Sequence, residues 1–122
     1  MNEFNHFLGI DISKEFFDAV VLIGGDMARS EHCRFDNDRK GITALLKWLG
    51  RHGSNAENTL VCLEHTGMYG KPVIKYLLAF KFSLWVEMSF RIIRSMGIQR
   101  GKNDKLDAYR IACYALINKS II

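Results

Sequence analysis

The sequence predicts an α/β fold built on one mixed sheet, and three observations predict it. The first forty residues alternate short runs of branched and aromatic residues with turn-forming ones, the signature of strands. From Asp38 the apolar spacing switches to the helical i, i+3, i+4, i+7 pattern, and strand-like runs then alternate with it. At 122 residues and 48% hydrophobic content, the chain is long enough for a single core, with about 60–70% of the unfolded surface buried on folding.

Each element follows from its own stretch. "HFLGIDI", residues 6–12, is a short apolar run with branched residues and reads as a buried strand. "FFDAVVLIGGDMARSEHCRF" reads as two strands joined at a hairpin turn through Gly24, Gly25 and Asp26. Ile42, Leu45, Leu46 and Leu49 then mark a helix from Asp38 to about Arg51, ended by Gly53. "TLVCLE" is a continuous apolar strand that ends on a charge. Val73, Ile74, Leu77 and Leu78 return to helical spacing, with Pro72 tolerated in the first turn. "KFSLWVEM" is a further strand, "SFRIIRSMG" a short helix, "IQRGKN" a loop, and "DKLDAYRIACYALIN" a helix. The order β-β-β-α-β-α-β-α puts an antiparallel meander first and parallel strands with right-handed crossovers after it. That is the order of the ribonuclease H-like fold. No repeat, low-complexity tract or linker interrupts it, so residues 1–122 read as one domain.

Composition narrows the function classes. No apolar run approaches the roughly 18–20 residues of a membrane span, and "MNEFNHFLGID" lacks the basic start and long apolar stretch of a signal peptide. The expectation is a cytoplasmic protein with no membrane partner. Cys33, Cys62 and Cys113 are odd in number and widely spaced, which suits buried reduced thiols rather than disulfides or a zinc knuckle. The net charge is +4, and all of it lies in residues 88–110, where Arg91, Arg94, Arg100, Lys102, Lys105 and Arg110 outnumber Asp104 and Asp107. A local basic patch of this kind attracts polyanions and is the usual footprint of a nucleic-acid binder; a solvated helix face is the plainer alternative.

Four acidic residues stand out against that background. Asp11 interrupts the first strand between Ile10 and Ile12, where a charge is costly unless something pairs with it. Glu64 closes "TLVCLE" in the same manner. If the first and fourth strands are parallel neighbours, both acids lie at the carboxyl edge of the sheet, where open α/β sheets bind ligands. Asp104 and Asp107, three apart, share one face of the last helix, and Arg110 continues it. Taken alone, that pair reads more readily as a helix cap with favourable first-turn charge. Four carboxylates in one pocket repel by about 4 kcal/mol per close pair at an effective dielectric of roughly 20. Mg²⁺ or Mn²⁺ would remove that cost and serve two-metal phosphoryl transfer. His65 fits a surface or hydrogen-bonding role better than a ligand role, and Trp48 and Trp85 belong in or near the core.

The stretches "GIDISKEFFDAVVL", "LEHTGMYG" and "RGKNDKLDAYRIACYA" together resemble the amino-terminal domain of the DEDD transposases, insertion-sequence recombinases related to the Piv invertases and folded like RuvC. The resemblance runs from about residue 7 to residue 116. It implies that Asp11, Glu64, Asp104 and Asp107 are the family's four acids, holding Mg²⁺ or Mn²⁺ for DNA strand cleavage and transfer. It matches Thr66, Gly67 and Tyr69 to the family's E-x-T-G-x-Y signature and Lys102 to its basic residue before the acidic pair; together with the basic patch, this makes Thr66, Tyr69, Arg91, Arg94, Arg100, Lys102 and Lys105 the expected nucleic-acid contacts. DNA is then the partner, a guide RNA is a second one that some members use, and a paired site on two strands implies a dimer or tetramer. Two departures bear on the basic loop: Met88 and Ser89 stand where many members have Asn-Pro, and Asn103 stands where many have Thr. Members also continue into a serine-bearing domain not present in this sequence, so the resemblance implies a chain that folds and binds metal without completing recombination alone. Two other readings compete. "GIDIS" is similar to the first phosphate loop of actin-like sugar kinases, although Lys14, Glu15 and Phe16 crowd it. A non-catalytic nucleic-acid module would use the basic segment alone, with binding that falls steeply with salt.

Overall fold

The computed structural model describes residues 4–64, 67–87 and 104–119, with side chains in the last segment described from residue 106 onward. Its elements are β1 (His6–Ile12), β2 (Phe16–Leu22), β3 (Ser30–Asp36), α1 (Arg39–Arg51), β4 (Thr59–Glu64), α2 (Lys71–Ala79), β5 (Ser83–Glu87) and α3 (Asp104–Asn118). Short 3-10 turns cover Ile23–Gly25 and Gly67–Gly70. The short helix and basic loop expected over residues 89–103 lie outside the described residues.

The five strands form one sheet in the order β3-β2-β1-β4-β5. β1, β2 and β3 pair antiparallel, whereas β4 joins β1 and β5 joins β4 in parallel. This is the meander-then-crossover arrangement that the element order predicts. The β2–β3 connection is wider than a two-residue hairpin. Gly24 and Gly25 turn the chain at φ 67° and 71°, and the Asp26 carboxylate then accepts from the Ala28 amide at 2.9 Å. α1 starts where the Asp38 carboxylate accepts from the Gly41 amide at 2.8 Å, the N-cap bond that satisfies an otherwise orphaned donor.

Alternation along the strands divides the side chains between two layers. Leu8, Ile10, Ile12, Phe17, Ala19, Val21, Val61 and Leu63 face α1 and α2, where they meet Ile42, Leu45, Trp48, Leu49, Val73 and Leu77. The apolar stripe of α1 is shifted from its expected line: Trp48 is buried and Leu46 only partly so. In α2, Leu78 points outward and is 55% exposed, because this short helix rests on the sheet through Val73 and Leu77. On the opposite layer, Phe7, Val20, Leu22, Leu60 and Cys62 meet Ala108, Ile111, Ala112, Cys113, Tyr114 and Ala115 of α3.

α3 lies close on β1 because Gly9 has no side chain. A β-carbon at Gly9 would overlap the backbone of Ala108 and Ala112. Lys119, past the end of the helix, sits with Nζ 5.7 Å from the centre of the Phe7 ring. The helix therefore runs opposite to β1, and its first turn stands at the carboxyl end of that strand. Tyr109 anchors it laterally by donating to the Met27 carbonyl at 3.1 Å.

Candidate active site at the carboxyl edge of the sheet

β1 and β4 are paired through Ile10 and Leu63, so the next residues of the two strands, Asp11 and Glu64, stand side by side at the carboxyl edge. Both have the parity of Phe7, Gly9, Leu60 and Cys62, which puts them on the α3 side of the sheet. Their burial is high for carboxylates, at 8% and 3% exposed. Asp107 precedes Ala108, the residue seated over Gly9, and is itself 4% exposed. Its carboxylate has Arg110 Nη1 one turn on, at 3.9 Å, too long for a strong ion pair. Buried acids from two strands and one helix thus gather on one side of one edge. The positive end of the α3 dipole, directed at this edge, offsets part of their repulsion.

The other expected residues divide between the described and the undescribed parts of the chain. Asp104 opens α3 on the same turn as Asp107, but its side chain, with that of Lys105, lies outside the described residues. Thr66, Arg91, Arg94, Arg100 and Lys102 also lie outside, as does His65. Tyr69 is described and half-exposed on the turn after β4. Among the described residues, no group of three or more His, Cys, Asp or Glu is placed to hold a metal ion. Carboxylates are hard oxygen donors, whose chemistry suits a divalent ion such as Mg²⁺ or Mn²⁺ better than a soft one.

Several residues at this edge went unnoticed in the sequence. The strand pairing extends the row of acids in both directions. Asp18 stands opposite Asp11 in the antiparallel pair, and Glu87 stands beside Glu64 in the parallel one. Asp18 is 1% exposed and bonded to His32 and Arg34 of β3. Glu87 accepts from the Tyr114 hydroxyl of α3 at 2.9 Å, which ties β5 to the helix. Burial, followed by the charges of Glu87 and Glu64, pushes the Cys62 thiol far above its ordinary range. All three cysteines are free thiols; Cys62 and Cys113 are buried as expected, whereas Cys33 on the edge strand is only partly so. Asn37 was also missed. Its amide donates to the Ser13 carbonyl at 3.0 Å and to the Tyr69 carbonyl at 2.9 Å. One side chain thus ties together the loops that follow the two acid-bearing strands. Asp18 carried a readable signal, an acid inside "FFDAVVL" just as Asp11 is inside "HFLGIDI".

Comparison with known proteins agrees with this fold. A family model described as a transposase, that of the DEDD transposases, matches residues 8–121. Among solved structures, RuvC from T. thermophilus in complex with Holliday junction substrate superposes with a TM-score of 0.62 at 11% identity, covering 94% of this chain and 95% of that one. A second structure of Thermus thermophilus RuvC gives 0.57 at 12% identity, covering 94% and 96%. No curated protein matches the chain in sequence. At such identities the structural likeness speaks for the fold, which is RuvC-like.

Proposed function

The chain belongs to the DEDD transposase family, and from that premise we propose that it cleaves and transfers DNA strands by divalent-metal-dependent phosphoryl transfer. Domains of this family and fold generally use a divalent metal. The residues we assign to holding it are Asp11, Glu64, Asp107 and Asp104, with Mg²⁺ or Mn²⁺ as the ion. The observation that carries the reading is the burial of Asp11, Glu64 and Asp107 on the α3 side of one sheet edge. Apolar residues of similar volume often serve a fold as well as buried carboxylates, whose hydration is lost on burial.

When bound, a pair of divalent ions supplies Lewis acidity to the scissile phosphodiester and to the attacking oxygen. The residues of the chain supply the frame. Asp11 and Glu64, fixed by a parallel ladder, keep a constant separation, and Gly9 sets how far Asp107 stands from them. Asn37 and Tyr114 brace the loops and the outer strand around the edge. We assign contacts to the nucleic-acid backbone to the basic segment, Arg91, Arg94, Arg100, Lys102 and Lys105, and to Thr66 and Tyr69. A guide RNA and assembly into a dimer or tetramer remain part of the proposal. The sugar-kinase alternative loses its footing with the transposase match over residues 8–121.

The test compares the parent with Asp11→Asn on a DNA substrate in Mg²⁺ or Mn²⁺. Removing a partner that only supports a metal ligand already costs about 10–100-fold, so losing a ligand costs at least about a hundredfold. DNA binding in the absence of metal is expected to survive. A variant that cleaves like the parent sinks the assignment. DNA binding without metal-dependent cleavage in the parent would favour the non-catalytic module.

A further inference from the structure

Beyond the four family acids, the row continues away from Glu64 into a cluster on β2 and β3. Asp18 is directly opposite Asp11, and Arg34 is directly opposite Asp18. The Asp18 carboxylate accepts from Arg34 Nε at 3.2 and 3.3 Å and from Arg34 Nη2 at 3.1 Å. His32 Nε2–H donates to the same carboxylate at 2.7 Å. The guanidinium is also stacked over the Phe16 ring, 3.8 Å from its centre. Arg34 is thus held by a bidentate fork and an aromatic face, although 51% of its side chain remains exposed.

Stability does not explain this arrangement. An aspartate with 1% exposure in the middle of a strand loses its hydration, and apolar residues of equal volume usually serve a fold as well as a buried ion pair does. The arrangement does make an arginine rigid at the protein surface. β3 is an edge strand, and its surface on the α3 side carries His32 and Arg34 in alternate positions. Arg34 lies two strand spacings, about 10 Å, from Asp11 along a straight row. Asp18 takes the Nε–Nη2 edge of the guanidinium, so a phosphodiester adjacent to the one engaged at the acids would meet the exposed remainder of this fixed, planar cation, which carries further N–H donors.

We propose that Arg34, positioned by Asp18 and flanked by His32, binds a backbone phosphate of the DNA strand on the β3 side of the acid row. Asp18 is a positioning residue in this account, and Arg34 makes the contact. The inference rests on the reading of Asp11 as part of a DNA-cleaving site.

The experiment measures binding of a fluorescent DNA duplex to the chain over a salt series. Arg34→Gln is compared with the parent, with Arg34→Lys, and with the double variant Asp18→Asn/Arg34→Gln. The double variant removes both charges together and stays folded even if the single change strands a buried carboxylate. Loss of one phosphate contact lowers the slope of log K against log salt by about 0.9. That reduction, with weaker binding at every salt concentration and unchanged Mn²⁺ affinity, is the expected result. Arg34→Lys should keep part of the slope and lose affinity. A folded double variant with the parent's affinity and slope overturns the inference alone. A parent that binds no DNA overturns both it and the proposed function.

Discussion

The two faces of the sheet are built from the same strands on opposite principles. Toward α1 and α2, β1 presents Leu8, Ile10 and Ile12 to a layer of large apolar residues, including the ring series Phe17, Phe35 and Trp48 with centres 5.5 and 5.7 Å apart. Toward α3, the same strand presents Phe7, Gly9 and Asp11. There the facing helix is rich in small residues, Ala108, Ala112 and Ala115. Close approach by a narrow helix surface substitutes for bulk, and it brings Asp107 toward the edge where Asp11 and Glu64 stand at or next to the ends of their strands. One face carries the bulk of the apolar core and the other the proposed chemistry, and alternation along each strand keeps them apart. Mutations should therefore separate the two.

The largest effect on stability belongs to the apolar face. Leu45→Ala opens a cavity under α1 and should cost about 2–5 kcal/mol in urea unfolding, yet leave Mn²⁺ affinity of the folded protein unchanged. A parallel loss of metal affinity would break the separation. Gly9→Ala acts on the other face. Its β-carbon would meet the backbone of Ala108 and Ala112, so α3 must move, at about 1–3 kcal/mol for overpacking. Metal affinity and cleavage should fall far more than that loss of stability accounts for. Asn37→Ala removes two bonds to the loop carbonyls of Ser13 and Tyr69, worth about 1–2 kcal/mol together. It should raise the metal concentration needed for half-maximal cleavage with little change in duplex binding. Unchanged metal dependence would make Asn37 a purely structural tie.

The smallest effect concerns pH. His6 is buried, 3.1 Å from the Ser54 hydroxyl, and desolvation followed by the charge of Arg29 lowers its pKa. The unfolded chain therefore binds this proton more readily than the folded one does. Stability from neutral His6 is present above the unfolded value of about 6.5 and declines as pH falls through it, levelling off below the lowered folded value. Urea midpoints measured across this range should drop toward acid, and His6→Gln should flatten that part of the slope.

Much of this contrast was legible in the sequence because it depends on local rules. Asp11 stood out as a charge between isoleucines, and the switch from strand to helix period marked α1 and α2. Glu64 was legible as the charged end of an apolar run. Asp18 gave the same kind of signal as Asp11 but lay in a segment explained well enough as a hairpin strand. What stayed hidden depends on register. Arg34 is sixteen residues from Asp18 and becomes its partner only when β2 and β3 pair. Asn37 bonds to backbone carbonyls 24 and 32 residues away, which no side-chain pattern encodes. The exposure of Leu78 was hidden too, because helical periodicity does not reveal that α2 buries only Val73 and Leu77.

The central claim is that buried acids from β1, β4 and α3 form one divalent-ion site on the α3 side of the sheet. Paramagnetic broadening of backbone amide signals by Mn²⁺ tests it most directly. The account predicts broadening concentrated around Asp11, Glu64 and Asp107, competed by Mg²⁺ and lost in Asp11→Asn, with the α1 amides untouched. Broadening centred elsewhere, or none at millimolar metal in a folded protein, would contradict it.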